Sequence, residues 1–300
     1  MFMKIFKYSL ILVITCMVSI IAFVLISQKM FDPSKLPLNY GKIDSQLFAK
    51  EGTIQPLLVY FGGSEGGNSM TKERHIIERK MYTDKGYAML AIGYFGMEGI
   101  PKELDRISLN TIYEEIKRVQ NNPNIDASCV AVMGGSKGAE LALALASKYP
   151  DINGVVSFAG SHVSFNSISI AADGKTGSFS FNNSSLPYVT VPIKAIPYVL
   201  IGDFRKVHEL ALEDTNAVEA AVIAVENING PILLVSGEKD HVWPSAEMST
   251  EIINRLKSKG FNYPYQHIIV PNGNHFQPQS DYHPQAIEFL EKNFKPTCDS

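Results

Sequence analysis

The sequence contains 300 residues, a length that suits one large α/β domain with a single core. Hydrophobic residues make up 45% of it and charged residues 19%, which excludes a disordered or fibrous chain. The formal net charge of −3 shows no basic excess, so nucleic acid is not expected as a partner. The three cysteines, Cys16, Cys129 and Cys298, are far apart, and their spacing indicates neither a disulfide framework nor a metal site.

The first thirty residues differ from the rest of the chain. Lys4 and Lys7 precede twenty uncharged residues, 8–27, a run long enough for a helix that crosses a bilayer. A cleaved signal peptide, the alternative, usually has a shorter apolar region and a cleavage site with small residues. The sequence therefore predicts an uncleaved single-pass membrane anchor at residues 1–30. The usual orientation favours an extracytoplasmic domain, but lysines on both sides of the run leave the side of the membrane open.

Strand and helix patterns alternate after a tether at residues 31–54, through a catalytic domain predicted at 55–300. Strands that are apolar throughout are buried on both faces, which is typical of an open, mostly parallel sheet between two layers of helices. Such strands are predicted at 56–61, 87–94, 128–134, 152–160, 230–237 and 265–273. Helices are predicted at 72–86, 109–122, 138–149, 246–260 and 284–294.

Residues 161–205 interrupt this alternation. They are rich in Ser, Asn, Phe and Pro and show no clear hydrophobic period. The segment is too long for an ordinary connection between two elements. We therefore predict that it forms a cap over the C-terminal edge of the sheet.

One strand-to-helix junction carries a single serine between glycines. In Gly134-x-Ser136-x-Gly138 the serine follows an apolar strand and precedes an alanine-rich helix, which is the context of a nucleophile elbow. The residues two before and two after it must be small, because the strand and the helix approach closely there. The Ser136 hydroxyl would then lie at a helix N-terminus, and the backbone N–H of Lys137 would point at a developing oxyanion. An ordinary glycine-rich turn is the alternative.

A serine nucleophile requires a base and an acid that orients it, and in this architecture the acid and then the histidine follow the serine. His275 comes after the last predicted strand and is the predicted base, with a surface-loop histidine as the alternative. Asp240 follows the preceding strand and is the predicted acid, with Glu238 as the alternative.

A second oxyanion donor is predicted in the glycine-rich loop after the first core strand, residues 60–69. Its glycines allow the backbone to approach the serine. Gly63 is the predicted donor and Ser64 the alternative, while a merely flexible turn is the other interpretation. No metal or organic cofactor is implied.

From about residue 55 to 294 the chain resembles the C-terminal catalytic domain of the acyl-CoA thioesterase / bile acid-CoA:amino acid N-acyltransferase family. The similar segments are KGYAMLAIGYFGMEGIPKEL (85–104), MGGSKGAELALALAS (133–147), DHVW (240–243) and GNHFQP (273–278). The resemblance implies an α/β-hydrolase fold akin to dienelactone hydrolases. It supports Ser136, Asp240 and His275 as a triad and implies acyl-CoA thioesters as substrates. The resemblance also implies that family members which conjugate bile acids use cysteine as the nucleophile, so the serine of this chain favours water as the acyl acceptor.

The predicted fold class is therefore an α/β-hydrolase with a cap insertion, preceded by a transmembrane helix. The predicted function is a membrane-anchored serine hydrolase that cleaves acyl thioesters through an acyl-enzyme. Its partners would be a small-molecule acyl ester or thioester and, through the N-terminal helix, the membrane. The alternatives are a carboxylesterase or dienelactone-hydrolase-like enzyme on small esters, an N-acyltransferase, and an inactive binding module. Related enzymes usually carry an N-terminal β-sandwich domain, which residues 31–54 are too short to form.

Overall fold

The structure is a computed structural model that describes residues 2–298 and, within them, all side chains except those at 2–7, 9–11 and 13. Residues 2–298 form ten strands: β1 (Asp44–Phe48), β2 (Gln55–Phe61), β3 (Ala88–Gly93), β4 (Ile107–Ser108), β5 (Ile125–Gly135), β6 (Val155–Phe158), β7 (Phe179–Phe181), β8 (Ser184–Ser185), β9 (Ile232–Gly237) and β10 (Tyr265–Val270).

The same residues form eleven α-helices: α1 (Phe2–Met30), α2 (Ile76–Thr83), α3 (Leu109–Gln120), α4 (Lys137–Ala146), α5 (Ile196–Ile201), α6 (Phe204–Ala211), α7 (Thr215–Ala221), α8 (Ser245–Ser258), α9 (Gln277–Asp281), α10 (His283–Phe289) and α11 (Lys295–Cys298). Short 3₁₀ turns occupy Ser69–Thr71, Glu73–His75, Ile193–Ala195 and Val225–Asn227, and a π-helical turn occupies Leu290–Phe294.

The main sheet confirms the predicted parallel architecture. Within the described part of the chain its seven strands follow the order β1-β3-β2-β5-β6-β9-β10, and only β1 runs antiparallel to its neighbour. Alternate side chains of a strand point to opposite faces. In β2, Leu57 and Val59 therefore belong to one hydrophobic core and Leu58 to another. Because helices cover both faces, each of these strands is apolar throughout.

The predicted strands and helices are confirmed, with bounds that differ by a few residues. The largest difference concerns the helix predicted at 72–86, which is regular only in α2. A 3₁₀ turn, Glu73–His75, replaces its first residues. Its end is closed by Gly86, which has φ +85° and donates its N–H to the carbonyl of Thr83.

The N-terminal prediction requires correction. A helical crossing needs about 20 consecutive apolar residues. Among the side chains that the structure describes, no helix has both the length and the apolar character for such a crossing. The membrane anchor predicted at residues 1–30, and with it the membrane partner and the single-pass localisation, is therefore wrong. The side chains of Lys4 and Lys7, on which the orientation depended, lie outside those described.

The C-terminal helix is joined to the sheet by a covalent link that the cysteine spacing did not indicate. Cys129 in β5 and Cys298 in α11 form a disulfide, with Cα atoms 5.1 Å apart and a sequence separation of 169 residues. The two cysteines meet because α11 folds back against β5. Cys16 remains an exposed free thiol.

Between β6 and β9 the chain leaves the main sheet, and we call residues 161–224 the excursion. It contributes β7, which pairs with β4, and β8, which pairs with β7, to a small second sheet, and it also contributes the helices α5, α6 and α7. Its inner side is held by a third hydrophobic cluster, in which Val163, Phe165 and Val189 pack with Trp243 and Met248. The excursion therefore rests on the segment that follows β9.

Candidate active site

Ser136 occupies a strained turn between β5 and α4. Its backbone has φ 54° and ψ −119°, a region that residues with a side chain seldom adopt. The end of β6 and the first turn of α4 hold it there. Its N–H donates to the carbonyl of Phe158, and its own carbonyl accepts from the N–H of Ala139. The residue is 7% exposed. These features are those of a nucleophile elbow.

The glycines on either side of Ser136 are required by close backbone contacts. A Cβ atom at Gly134 would lie 2.5 Å from the carbonyl carbon and oxygen of Gly138. A Cβ atom at Gly138 would lie 2.3 Å from the carbonyl oxygen of Phe61 at the end of β2. Neither backbone can move away without opening the junction between β2, β5 and α4.

Asp240 and His275 form a buried pair beyond the ends of β9 and β10. The Nδ1 atom of His275 lies 2.8 Å from Oδ2 of Asp240, with the two residues 2% and 0% exposed. The other carboxylate oxygen, Oδ1, accepts the N–H groups of Val242 and Trp243. Because Nδ1 donates to the carboxylate, Nε2 keeps a lone pair and can accept a proton.

The protonation state of Asp240 suits an orienting carboxylate. Burial acts to raise its pKa, but the hydrogen bond and charge of His275, together with the Val242 N–H, lower the pKa below its ordinary value. The alternative acid, Glu238, points elsewhere and accepts the N–H of Asn272. The structure thus brings Asp240, not Glu238, to His275.

Ser136 and His275 lie in neighbouring loops at the same edge of the sheet. Among the described residues, no hydrogen bond joins the Ser136 hydroxyl to the His275 imidazole. Gln279 connects the two loops, since its Nε2 donates to the carbonyl of His275 at 3.0 Å while its Oε1 fills the space where a Cβ of Gly135 would lie. A catalytic hydrogen bond that forms only with substrate bound is common in unliganded enzymes.

The predicted oxyanion donors both approach Ser136. Lys137 is the first residue of α4, where a backbone N–H has no partner inside the helix. A Cβ atom at Gly63 would lie 3.3 Å from Cβ of Ser136, so this backbone is close to the nucleophile. The alternative residue, Ser64, is exposed.

The hydroxyl of Tyr94 orients the peptide that contains the Gly63 N–H. This buried hydroxyl, just after β3, donates to the carbonyl of Gly62 at 2.6 Å. In a trans peptide the carbonyl and the following N–H point in opposite directions. The Gly63 N–H therefore points away from Tyr94. Tyr94 belongs to the segment 85–104 that resembles the family, but the sequence assigned no role to its hydroxyl.

Glu140 is a further residue near Ser136 that was not singled out from the sequence. It forms a buried ion pair with Lys137, with Nζ and Oε2 2.8 Å apart. The signal was present, because these are the only charged residues in an otherwise apolar α4 and their i, i+3 spacing puts them on one face.

Comparison with known proteins gives one family. The profile described as "BAAT / Acyl-CoA thioester hydrolase C terminal" matches residues 107–295, more than half of the chain. Acyl-coenzyme A thioesterase 1 of Mus musculus is 26% identical over 266 residues, which cover 88% of this chain and 56% of that protein. The chain thus spans about half the length of the curated relatives it matches.

Solved structures agree on the fold. A puromycin-hydrolysing peptidase of Mycobacterium tuberculosis has a TM-score of 0.59 and 15% identity, over 87% of this chain and 39% of that one. The α/β hydrolase GrgF from Penicillium sp. sh18 has a TM-score of 0.53 and 13% identity, over 84% of this chain and 99% of that one. The chain has the α/β-hydrolase fold.

Proposed function

Because the chain belongs to the BAAT / acyl-CoA thioester hydrolase family, we propose that it is a serine hydrolase that cleaves acyl thioesters. The observation that carries this proposal is the hydrogen-bonded Asp240–His275 pair at the same sheet edge as the strained turn of Ser136. The thioesterase names of its relatives supply the substrate class.

The proposed reaction starts with transfer of the Ser136 hydroxyl proton to Nε2 of His275. The alkoxide attacks the thioester carbonyl, and Asp240 stabilises the resulting imidazolium. The N–H groups of Lys137 and Gly63 bind the oxyanion of the tetrahedral intermediate, with Tyr94 as the residue that orients the second donor. Collapse of the intermediate breaks the C–S bond, and His275 returns its proton to the leaving thiolate.

The second half of the reaction releases the acyl group. His275 removes a proton from a water molecule, and the hydroxide attacks the acyl-enzyme carbonyl. Collapse of this second intermediate expels the Ser136 oxygen, which regains its proton from His275. The products are a carboxylic acid and a free thiol.

We propose that the excursion acts as a cap over this site. Ser136 is 7% exposed and His275 2%, so other residues largely cover both of them. Phe165 of the excursion packs against Trp243, which in turn contacts the imidazole of His275. The cap thus supplies an apolar wall next to the base, suited to an acyl chain.

The test combines labelling with a substrate comparison on the full chain. A fluorophosphonate probe should label wild-type protein and leave Ser136→Ala unlabelled, because the probe reacts with an activated serine. Palmitoyl-CoA hydrolysis, followed by thiol release, should exceed hydrolysis of p-nitrophenyl butyrate and disappear in Ser136→Ala. Equal labelling of both proteins would overturn the serine mechanism, and a preference for the oxygen ester would overturn the thioester assignment.

A further inference from the structure

The ion pair between Lys137 and Glu140 lies in the first turn of α4, a helix whose residues are all buried. The two side chains are 6% and 0% exposed. Burial lowers the pKa of Lys137 and raises that of Glu140, and the partner's charge opposes the shift in each case. An ion pair removed from water in this way seldom adds net stability, because desolvation offsets the attraction. Its position in this chain therefore calls for another explanation.

Both members of the pair also bind the excursion. The second oxygen of Glu140, Oε1, accepts the backbone N–H of Phe165 at 3.0 Å. The ammonium of Lys137 donates to the hydroxyl of Ser178 at 3.0 Å, and this hydroxyl donates to the carbonyl of Asn166. The same ammonium lies 5.5 Å from the ring centroid of Phe165. The pair thus holds the backbone of the excursion at Phe165.

Phe165 connects this contact to the proposed base. Its ring stacks on Trp243 with centroids 5.9 Å apart and an angle of 25° between the planes. Trp243 meets the imidazole of His275 edge to face, with centroids 5.8 Å apart. The indole N–H donates to the carbonyl of Ala159, so the ring cannot rotate freely. One restrained ring therefore lies between Phe165 and His275, and its packing on Phe165 supports its contact with the imidazole.

We infer that Lys137 and Glu140 are positioning residues that hold Phe165, and through Trp243 set the orientation of His275. This inference rests on the proposed function for the role of His275. The essential contact is the hydrogen bond from the Phe165 N–H to Glu140, because it joins α4 to the excursion near His275. Neither side chain is required to touch the substrate.

Two double variants separate this hydrogen bond from the buried charges. In K137M/E140Q both charges are absent and an amide oxygen remains to accept the Phe165 N–H. In K137M/E140L both charges are absent and the acceptor is lost, while the side chain keeps a similar volume. The shared Lys137→Met substitution cancels in the comparison, and neither variant leaves a buried unpaired charge.

Three measurements compare the two variants. With palmitoyl-CoA, kcat of the Leu variant should be about tenfold below that of the Gln variant, with KM within about twofold. Hydrogen exchange at the Phe165 amide should be faster in the Leu variant by about tenfold or more, since its acceptor is gone. Trp243 is the only tryptophan of the chain, so intrinsic fluorescence should differ between the variants as the ring stack changes.

A matched control uses an ion pair at the far end of α8. Arg255, in the last turn of that helix, binds Glu226 through two hydrogen bonds. Glu226→Gln and Glu226→Leu should give the same kcat, because this pair does not contact Phe165 or Trp243. The control thus separates a positioning effect from a general loss of stability.

The comparison of the two double variants can contradict the positioning role of Lys137 and Glu140. Equal kcat in the two double variants, or equal exchange at the Phe165 amide, would overturn it. A kcat difference that also appears between the two Glu226 variants would overturn it as well. If the wild-type chain neither labels with fluorophosphonate nor hydrolyses either substrate, the proposed function fails. Exchange and fluorescence then still decide whether the pair holds Phe165 against Trp243.

Discussion

Replacing Tyr94 by Phe removes one hydroxyl and tests how the oxyanion loop is held. That hydroxyl is a buried donor to the carbonyl of Gly62, at 2.6 Å. Its loss leaves a buried carbonyl without this donor, which should cost about 1–3 kcal/mol of unfolding free energy. It also frees the Gly62–Gly63 peptide to rotate, so that the N–H of Gly63 loses its fixed direction.

The effect on catalysis has an upper limit. Complete loss of an oxyanion donor costs about 3–4 kcal/mol of transition-state stabilisation. A donor that is misoriented part of the time should lose a fraction of this, so we expect kcat to fall by about tenfold to a hundredfold. KM should change little, because the oxyanion forms only in the transition state. The assay is steady-state hydrolysis of palmitoyl-CoA, normalised to the fraction of protein that fluorophosphonate labels.

Tyr82→Phe is the matched control. Tyr82 is also fully buried, and its hydroxyl is 2.8 Å from Nδ1 of His283, away from the oxyanion loop. The two variants should lose comparable stability, whereas Tyr82→Phe should keep kcat within about twofold. If Tyr94→Phe retains the wild-type kcat, or if both variants lose kcat to the same extent, the Tyr94 hydroxyl does not orient the oxyanion donor.

Three further predictions concern stability. Burial lowers the pKa of His283 to about 4, so the unfolded chain binds a proton more readily and the unfolding free energy falls as pH drops from 6.5 to 4. His283→Gln should reduce this fall by about 3 kcal/mol in denaturant titrations at several pH values. Gly138→Ala should cost about 3 kcal/mol or more in the same titrations, because its methyl group would lie 2.3 Å from the Phe61 carbonyl. Cys298→Ser should cost about 2–4 kcal/mol by opening the disulfide to Cys129, and thiol titration of unfolded wild-type protein should find one thiol before reduction and three after.

For each of these three stability predictions, one result would contradict it. A stability profile of His283→Gln parallel to that of the wild type between pH 4 and 6.5 would show that this imidazole titrates normally. A Gly138→Ala protein of wild-type stability would mean that β2 and α4 are not in close contact. Three thiols in unreduced protein would show that Cys129 and Cys298 are not joined.

Local patterns determined much of the fold. Short runs such as 87–94 are apolar throughout, which is typical of a strand buried on both faces, so they predicted a parallel sheet between helices. The glycines around Ser136 likewise identified the tight junction, because no other residue fits there. Family resemblance, now confirmed by a profile match over residues 107–295, rested on four such segments.

Contacts between residues that are far apart in the sequence could not be predicted from local patterns. Glu238 and Asp240 are two residues apart and equally acidic, and only the packing of β9 beside β10 decides which carboxylate meets His275. The disulfide depends on the return of α11 to β5, which spacing alone does not reveal. The twenty uncharged residues near the N-terminus predicted a membrane anchor, and this prediction was wrong.

Residue types and local spacing identified Ser136, Asp240 and His275 as side chains with suitable chemistry, whereas folding positions them and adds contacts that no local pattern reveals. Ser136 was recognisable because its constraint is local, a strained turn that requires small neighbours. The roles of Tyr94 and Glu140 could not be recognised in the same way. Each depends on a hydrogen bond to a backbone group that is distant in the sequence, the Gly62 carbonyl for Tyr94 and the Phe165 N–H for Glu140. A hydrogen bond exists only when two atoms meet within about 3 Å at a suitable angle, and that condition is met by the folded chain as a whole.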